Sequence, residues 1–325
     1  PAGAQDSPAE GPASPIPERR IDMMPDTDLP GGDLGPVFDT TLQACIQTCL
    51  GQDECRALTY NASSRACFPK GDGAGAPVPF ASALSGRVIR TPPELAARAQ
   101  TRMADAGFLS QSDVDEARNR AGTIAAFYPP TEESEPAVAA ARAESQGDRE
   151  TAIHMTGILT AQRDRAGDWT NLARLVLGGI QGSDGAAARS AGFLAINGYL
   201  RAEDDATAAR ALALLADSHE RTGRGQDGLA ALRLANRLSP DDQGIGKALE
   251  TAQERHGMRV TDSQLDTDAP MPRFCASMSR ALDAGVDYAD FLRLPSRDMT
   301  VSAEGRLLCI GGLAFGQELE LTLRA

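Results

Sequence analysis

Four of the six cysteines of this 325-residue chain lie in one short segment, as Cys45, Cys49, Cys55 and Cys67. Such a segment is too short to build a core from apolar side chains alone, so cross-links must replace part of that core. Two chemistries suit the cluster: a pair of disulfides, or a zinc ion bound by four thiolates. The choice also decides the compartment in which the chain folds.

The residues around these cysteines favour disulfides over zinc. Residues 40–50 are typical of a short helix, on which Cys45 and Cys49 stand one turn apart on the same face. Zinc sites commonly use a C-x2-C turn, and that spacing occurs nowhere in the chain. Residues 56–60 and 65–68 are typical of two strands joined by a polar turn. A helix fixed to a hairpin needs two bridges, and the sequence leaves three pairings open.

A known family shares this arrangement. A helix with C-x3-C, a cysteine before an aromatic-bearing strand and a cysteine on the next strand together resemble the PAN/apple module, over residues 35–90. The resemblance implies the pairs Cys45–Cys67 and Cys49–Cys55. It also implies a module that binds proteins or carbohydrates and catalyses no reaction.

The chain divides into four predicted regions. Residues 1–30 are rich in Pro, Ala, Gly, Asp and Glu, which predicts a disordered leader. Residues 31–92 form the PAN/apple-like module, residues 93–257 an α-helical array, and residues 258–325 a β domain. The predicted fold class is therefore multidomain α+β, with a disulfide-stapled α/β module, an array of α-helical hairpin repeats and a C-terminal antiparallel β-sandwich.

The helical region shows a period of 3.6 residues and appears in units that end at similar turns, about 37 residues apart. The unit 209–242 resembles a tetratricopeptide repeat, with Leu212 and Leu215 forming the apolar stripe of its first helix. Such an array offers a concave surface for a peptide or a partner domain, or it acts as a spacer. The sequence leaves both roles open.

Beyond Gly257 the residues alternate as in strands, and Cys275 and Cys309 lie in separate strands of one predicted domain. We therefore pair these two cysteines. The bond closes a loop of more than about thirty residues, which stabilises the domain by about 3–4 kcal/mol.

The C-terminal region also resembles a known family. The segments that carry the resemblance are residues 273–279 (RFCASMS), 288–292 (YADFL), 308–316 (LCIGGLAFG) and 323–325 (LRA). They are similar to a β domain near the start of bacterial α2-macroglobulins, and the order of regions along the chain is similar too. The resemblance implies a large periplasmic protease trap with a thioester in a C-x-E-Q sequence. No cysteine here is followed by x-Glu-Gln, so we expect an N-terminal region without the trapping machinery.

Composition restricts the partners and the compartment. The net charge is −13, whereas a nucleic-acid-binding protein needs a basic face to neutralise phosphates. We therefore expect no nucleic-acid partner. No run of about 18 apolar residues is present, so we expect no membrane insertion. The even number of cysteines fits an oxidising compartment. We expect a periplasmic protein whose signal peptide has been removed from this sequence.

Catalytic and metal-binding patterns are missing from the sequence. His154, His219 and His256 are the only histidines, and none has the spacing of a metal site. No nucleophile elbow, phosphate-binding loop or dinucleotide fingerprint occurs, and Trp169 is typical of a packing residue. We therefore predict no enzyme, no metal and no cofactor, and the only predicted site residues are the six disulfide cysteines.

Three functional hypotheses follow. In the first, the chain is the N-terminal recognition and scaffold region of a periplasmic α2-macroglobulin-like protease inhibitor, and it contacts the remaining domains of the same polypeptide. In the second, it is a free-standing envelope adhesin whose apple-like module binds glycan or protein. Proteases, envelope proteins and peptidoglycan are the candidate external partners. A third hypothesis is an unrecognised hydrolase.

Overall fold

The computed structural model describes residues 13–180, 184–267, 271–294, 296, 298–316 and 322–323. The chain forms two compact units, Pro1–Ala252 and Gln253–Ala325. The first unit contains an antiparallel sheet with a helix, followed by an array of helices, and the second contains antiparallel strands. The predicted multidomain α+β fold class is therefore confirmed.

The N-terminal domain is a small sheet with a helix. Its elements are β1 (Arg19–Asp28), α1 (Leu42–Leu50), β2 (Ala57–Asn61), β3 (Ala66–Lys70) and β4 (Val78–Arg90). The strands form one antiparallel sheet in the order β1-β4-β2-β3. Helix α1 begins after Thr41, whose hydroxyl accepts a hydrogen bond from the backbone N–H of Ala44, and it contacts β2 and β3.

Strand β1 lies inside the segment predicted as a disordered leader, so that prediction is wrong for residues 19–28. The strand pairs with β4, and the side chains of Ile21 and Met23 are buried in the core. The low apolar content averaged over thirty residues concealed this short alternation, which is stabilised by a strand distant in sequence. The domain therefore begins at β1 and not at residue 31, while residues 1–12 lie outside the described part of the chain.

The helical array follows the sheet directly. Its helices are α2 (Pro93–Asp105), α3 (Gln111–Phe127), α4 (Pro136–Gln146), α5 (Arg149–Arg163), α6 (Ala166–Gly179), α7 (Gly185–Arg201), α8 (Asp205–Arg221), α9 (Gly225–Leu238) and α10 (Gln243–His256). Carboxylates cap several of them: the side chains of Asp148, Asp184 and Asp204 accept hydrogen bonds from the first turns of α5, α7 and α8. The predicted helical array is confirmed.

Neighbouring helices of the array pack in pairs around a core of alanine and leucine. From α4 to α9 each helix contacts the next, and α8 and α9 form a hairpin whose turn contains Gly223 at a φ of +74°. Helices α2 and α3 pack on α7, and α3 also contacts β1 and α1. The sheet and the array therefore share one hydrophobic core. The assignment of residues 209–242 to the tetratricopeptide family stays a prediction.

The second unit is built from short antiparallel strands. They are β5 (Val260–Asp266), β6 (Arg273–Met278), β7 (Leu292–Arg293), β8 (Thr300–Glu304), β9 (Leu307–Gly311) and β10 (Thr322–Leu323), with a 3₁₀ helix at Tyr288–Phe291. One sheet has the order β5-β6-β9-β8, and β7 pairs with β10. The two-residue alternation of residues 317–324 predicts a last strand, and of these residues only 322–323 belong to the described part of the chain.

Candidate functional site

Two disulfides lie at the centre of the N-terminal domain. Cys45 is bonded to Cys67 and Cys49 to Cys55, which are the pairs that the resemblance to the apple module implies. All four residues are buried, with 0–1% of their surface exposed. The bond between Cys45 and Cys67 joins α1 to β3 and thereby fixes the helix on one face of the sheet.

The opposite face of the sheet is crossed by the chain after β1. The backbone N–H of Leu29 donates to the Thr59 hydroxyl oxygen at 3.2 Å, and the hydroxyls of Thr59 and Ser85 form a hydrogen bond of 2.7 Å. Gly31 and Gly32 follow with φ values of +81° and +68°. A Cβ at Gly32 would meet the backbone of the loop after β3, so only glycine lets the chain pass there.

Beyond this crossing the chain runs along the open edge of β3. The backbone N–H of Leu34 donates to the carbonyl of Pro69 at 2.9 Å. Val37 and Cys67 exchange both of their backbone hydrogen bonds, each at 2.8 Å. This segment therefore covers the edge of the sheet and is held at a residue that is itself cross-linked to α1.

The covering segment presents an apolar surface to solvent. We define the edge patch as Leu34, Val37, Phe38 and Phe68. Phe38 is 64% exposed, and its ring packs edge-to-face on that of Phe68 at 6.5 Å between centroids. Because neighbouring strand residues point to opposite faces and Cys67 points to α1, Phe68 lies on the face away from the helix.

An ion pair between the buried Lys70 and the exposed Asp33 borders the edge patch. The ammonium group of Lys70 lies 2.6 Å from a carboxylate oxygen of Asp33 and 5.8 Å from the centre of the Phe68 ring. The lysine is buried, and its partner neutralises its charge, so the pair fixes the border of the patch without adding net charge. The patch offers apolar and aromatic contact, as a protein side chain or the apolar face of a sugar ring requires.

A concave surface lies between helices α6, α8 and α10. It encloses about 460 Å³ and is lined by Gly167, Thr170, Asn171, Arg174, Thr207, Arg210, Ala213, Leu214, Asp242, Gly244, Ile245 and Ala248. Its floor is apolar, and its rim carries Arg174 and Arg210. Arg174 is bonded to Glu144, and Arg210 donates to the Thr207 hydroxyl. The charge of Arg174 is thus already paired.

His219, whose pKa is lowered, is buried within the helical array. Burial and the neighbouring Arg224 guanidinium lower the pKa of His219 to about 4, although Asp227 and Asp113 oppose the shift. Its Nε2 has no hydrogen-bond partner in the described part of the chain, and only 4% of the residue is exposed. A neutral imidazole closed off from solvent cannot serve as a catalytic base for an external substrate.

The remaining predicted residues fall in separate places. Cys275 and Cys309 are bonded to each other in the C-terminal sheet. Trp169 is fully buried, as a packing residue should be, and its indole N–H donates to Asp164. In the described ranges no three His, Cys, Asp or Glu residues come together as a metal site. Sequence reasoning missed the edge patch, although the apolar residues around Gly35-Pro36 gave a weak signal.

A sheet and a helix with two buried disulfides, one from the helix to β3 and one from the helix to the turn before β2, define a small cross-linked domain of the kind found in exported proteins. Its family is the PAN domain, which matches residues 20–89. This match begins within β1, in agreement with the corrected boundary. Curated proteins gave no match to the chain. The disulfides and the PAN domain indicate an extracellular or otherwise exported protein. None of the described helices is both long and apolar enough to cross a membrane.

Proposed function

We propose that this chain is a non-catalytic recognition region of an exported protein, and that its PAN domain contacts a protein or a carbohydrate through the edge patch. The observation that carries the proposal is the exposed Phe38 on a PAN domain at residues 20–89. Single exposed apolar side chains are common, but Phe38 lies in a contiguous patch with Leu34, Val37 and Phe68, and such patches often mark binding sites.

The rigidity of the edge patch supports this role. Val37 is held by two backbone hydrogen bonds to Cys67, and Cys67 is bonded to Cys45 of α1. Phe38 therefore follows a backbone position that is fixed before any ligand arrives. A preformed surface loses less conformational entropy on binding than a mobile one, which favours affinity.

A matched pair of substitutions tests the patch. Phe80 lies on β4 of the same domain and is 50% exposed, so Phe80→Ala controls for the loss of an exposed ring. The intact chain is incubated with purified peptidoglycan sacculi and with a glycan array, and bound protein is measured. We expect Phe38→Ala to weaken binding at least about tenfold and Phe80→Ala to leave it unchanged. Equal binding by both variants would contradict the assignment of the edge patch.

We further propose that the exported protein is a periplasmic protease inhibitor similar to α2-macroglobulin. The support is the order of regions, with a PAN domain, helices and then an antiparallel sheet that contains a disulfide. Reading the coding sequence past Ala325 tests this hypothesis. It predicts further β domains and a C-x-E-Q sequence, and a stop codon directly after Ala325 would contradict it.

The alternative is a free-standing envelope adhesin that uses the same edge patch. It is favoured if the coding sequence ends near Ala325 and the chain alone binds sacculi or a defined glycan. Both hypotheses assign recognition to the PAN domain, so the Phe38 and Phe80 variants test their shared part, whereas the downstream sequence separates them.

A further inference from the structure

The third disulfide lies across the middle of the C-terminal sheet. Cys275 of β6 and Cys309 of β9 stand directly opposite each other, with their Cα atoms 4.0 Å apart. The next residues along the strands, Ala276 and Leu308, are buried in the core of this unit. Since neighbouring side chains of a strand point to opposite faces, the two cysteines project from the face away from the core.

Solvent reaches this face of the sheet. The register places Gln264 of β5 beside Cys275 and Ser302 of β8 beside Cys309, and both of these polar residues are exposed. The two cysteines between them are partly exposed. The four cysteines of the PAN domain are, in contrast, buried to at least 99%.

We propose that the Cys275–Cys309 disulfide is a site of thiol–disulfide exchange, and that its partner is a dithiol oxidoreductase of the compartment to which the chain is exported. Exchange requires a thiolate to approach one sulfur of the disulfide along the bond axis, so access decides which disulfide reacts. The C-terminal disulfide allows such an approach in the folded chain, whereas the disulfides of the PAN domain require that domain to open first.

The dithiol supplies the two electrons that reduce the disulfide. One thiolate of the oxidoreductase attacks either Cys275 or Cys309, which forms a mixed disulfide and releases the other cysteine as a thiolate. The second thiol of the oxidoreductase then displaces the bound cysteine. The dithiol is oxidised to a disulfide and the cystine is reduced to two cysteines, which take one proton from the second thiol and one from solvent, to which the attacking thiol had lost its own.

Reduction acts on a unit whose described core is small. The loop between the two cysteines spans 34 positions and contains β7, β8 and the 3₁₀ helix. It also supplies Leu282, Leu292 and Met299 to the core of this unit. A small core depends strongly on its cross-link, so the reduced unit is expected to unfold at a lower temperature while the first unit stays folded.

Timed reduction of the intact chain tests the proposal. The native protein is treated with dithiothreitol, quenched with N-ethylmaleimide at intervals and mapped by peptide mass. We expect Cys275 and Cys309 to be alkylated at least about 100-fold faster than the four cysteines of the PAN domain. Equal rates, or earlier labelling of the PAN domain, would overturn the proposal.

A trapping experiment tests the partner class. The probe is a thioredoxin-fold oxidoreductase whose resolving cysteine is replaced by serine, so that a mixed disulfide persists. An adduct at Cys275 or Cys309 is expected, and its absence would overturn the assignment of this partner. The double variant Cys275→Ser/Cys309→Ser serves as control: it should form no adduct and should lose the fast phase of labelling, with the other four cysteines reacting at unchanged rates.

Discussion

In the PAN domain four cysteines occupy the interior, whereas in the adjoining helical array the interior is filled by alanine, leucine and a buried ion pair. The sheet domain spans about seventy residues and has few apolar side chains to bury, so covalent bonds limit the entropy of its unfolded state. The array buries a larger apolar area across its helix pairs and contains no cystine. The comparison shows two sources of stability within one compact unit.

The buried ion pair of the array joins separate elements, as a cross-link does. Asp164 ends α5 at a φ of +53° and accepts hydrogen bonds from the Arg201 Nε at 2.7 Å and from the Trp169 indole at 2.8 Å. From β1, the Arg20 guanidinium donates to the carbonyl of Ala161 at 2.7 Å and lies 3.8 Å from Asp164. This node therefore connects four elements: the end of α5, helices α6 and α7, and the first strand of the PAN domain.

The largest expected effect comes from removing this node. Asp164→Ala leaves Arg201 buried without its counter-charge, and we expect the free energy of unfolding to fall by about 3–5 kcal/mol. Urea unfolding followed by circular dichroism measures the loss. The control is Arg221→Ala, which removes an exposed pair with Asp217 and should cost less than about 0.5 kcal/mol. Similar losses in the two variants would contradict the comparison.

The disulfides of the PAN domain should differ in their contributions. Removing the bond over 22 positions with Cys45→Ala/Cys67→Ala should cost about 3 kcal/mol, because the closed loop is long. Removing the bond over 6 positions with Cys49→Ala/Cys55→Ala should cost about 2 kcal/mol. Chemical unfolding of both variants without reductant gives the values. The reverse order would show that loop length does not determine these contributions.

We expect the helical array to lose stability in mild acid, whereas the contribution of the disulfides does not change because their cysteines do not titrate. The pKa of His219 is about 4 in the folded chain and 6.5 for a free histidine, so the unfolded chain binds the proton first. Stability therefore falls as the pH drops from about 6.5 to about 4, by about 3 kcal/mol for this residue. Urea unfolding at pH 7 and pH 4 should show a smaller loss in His219→Gln than in the unsubstituted chain. Equal losses of stability in the variant and the unsubstituted chain would contradict the conclusion that His219 is buried and neutral.

The smallest expected effects test close packing in each region. A Cβ at Gly157 of α5 would overlap the Tyr128 ring, and one at Gly86 of β4 would overlap Ile21 and Met23. Each Gly→Ala change should therefore cost about 1–3 kcal/mol. Gly246 of α10 has open space around it, so Gly246→Ala should stabilise by about 0.5–1 kcal/mol. Thermal unfolding compares the three, and a stabilised Gly86→Ala variant would contradict the packing of β1 on β4.

The elements that depend on local sequence signals could be predicted from the sequence. The helix with Cys45 and Cys49 and the helical array follow from caps and periodicity within a few turns. Strand β1 was not predicted because its partner, β4, lies about sixty residues away, and the sequence of neither strand indicates that the two pair. The edge patch was missed for a similar reason: whether Phe38 is exposed depends on the path of the chain along β3, which tertiary packing decides.

Site-specific photocrosslinking tests recognition by the PAN domain most directly. A benzoylphenylalanine replaces Phe38 or, as the matched control, Phe80, and the exported full chain is irradiated in its own compartment. Covalent adducts with a protein or a glycan are expected from position 38, with few or none from position 80. Abundant adducts from position 80 and none from position 38 would contradict the proposal that the edge patch is the recognition surface.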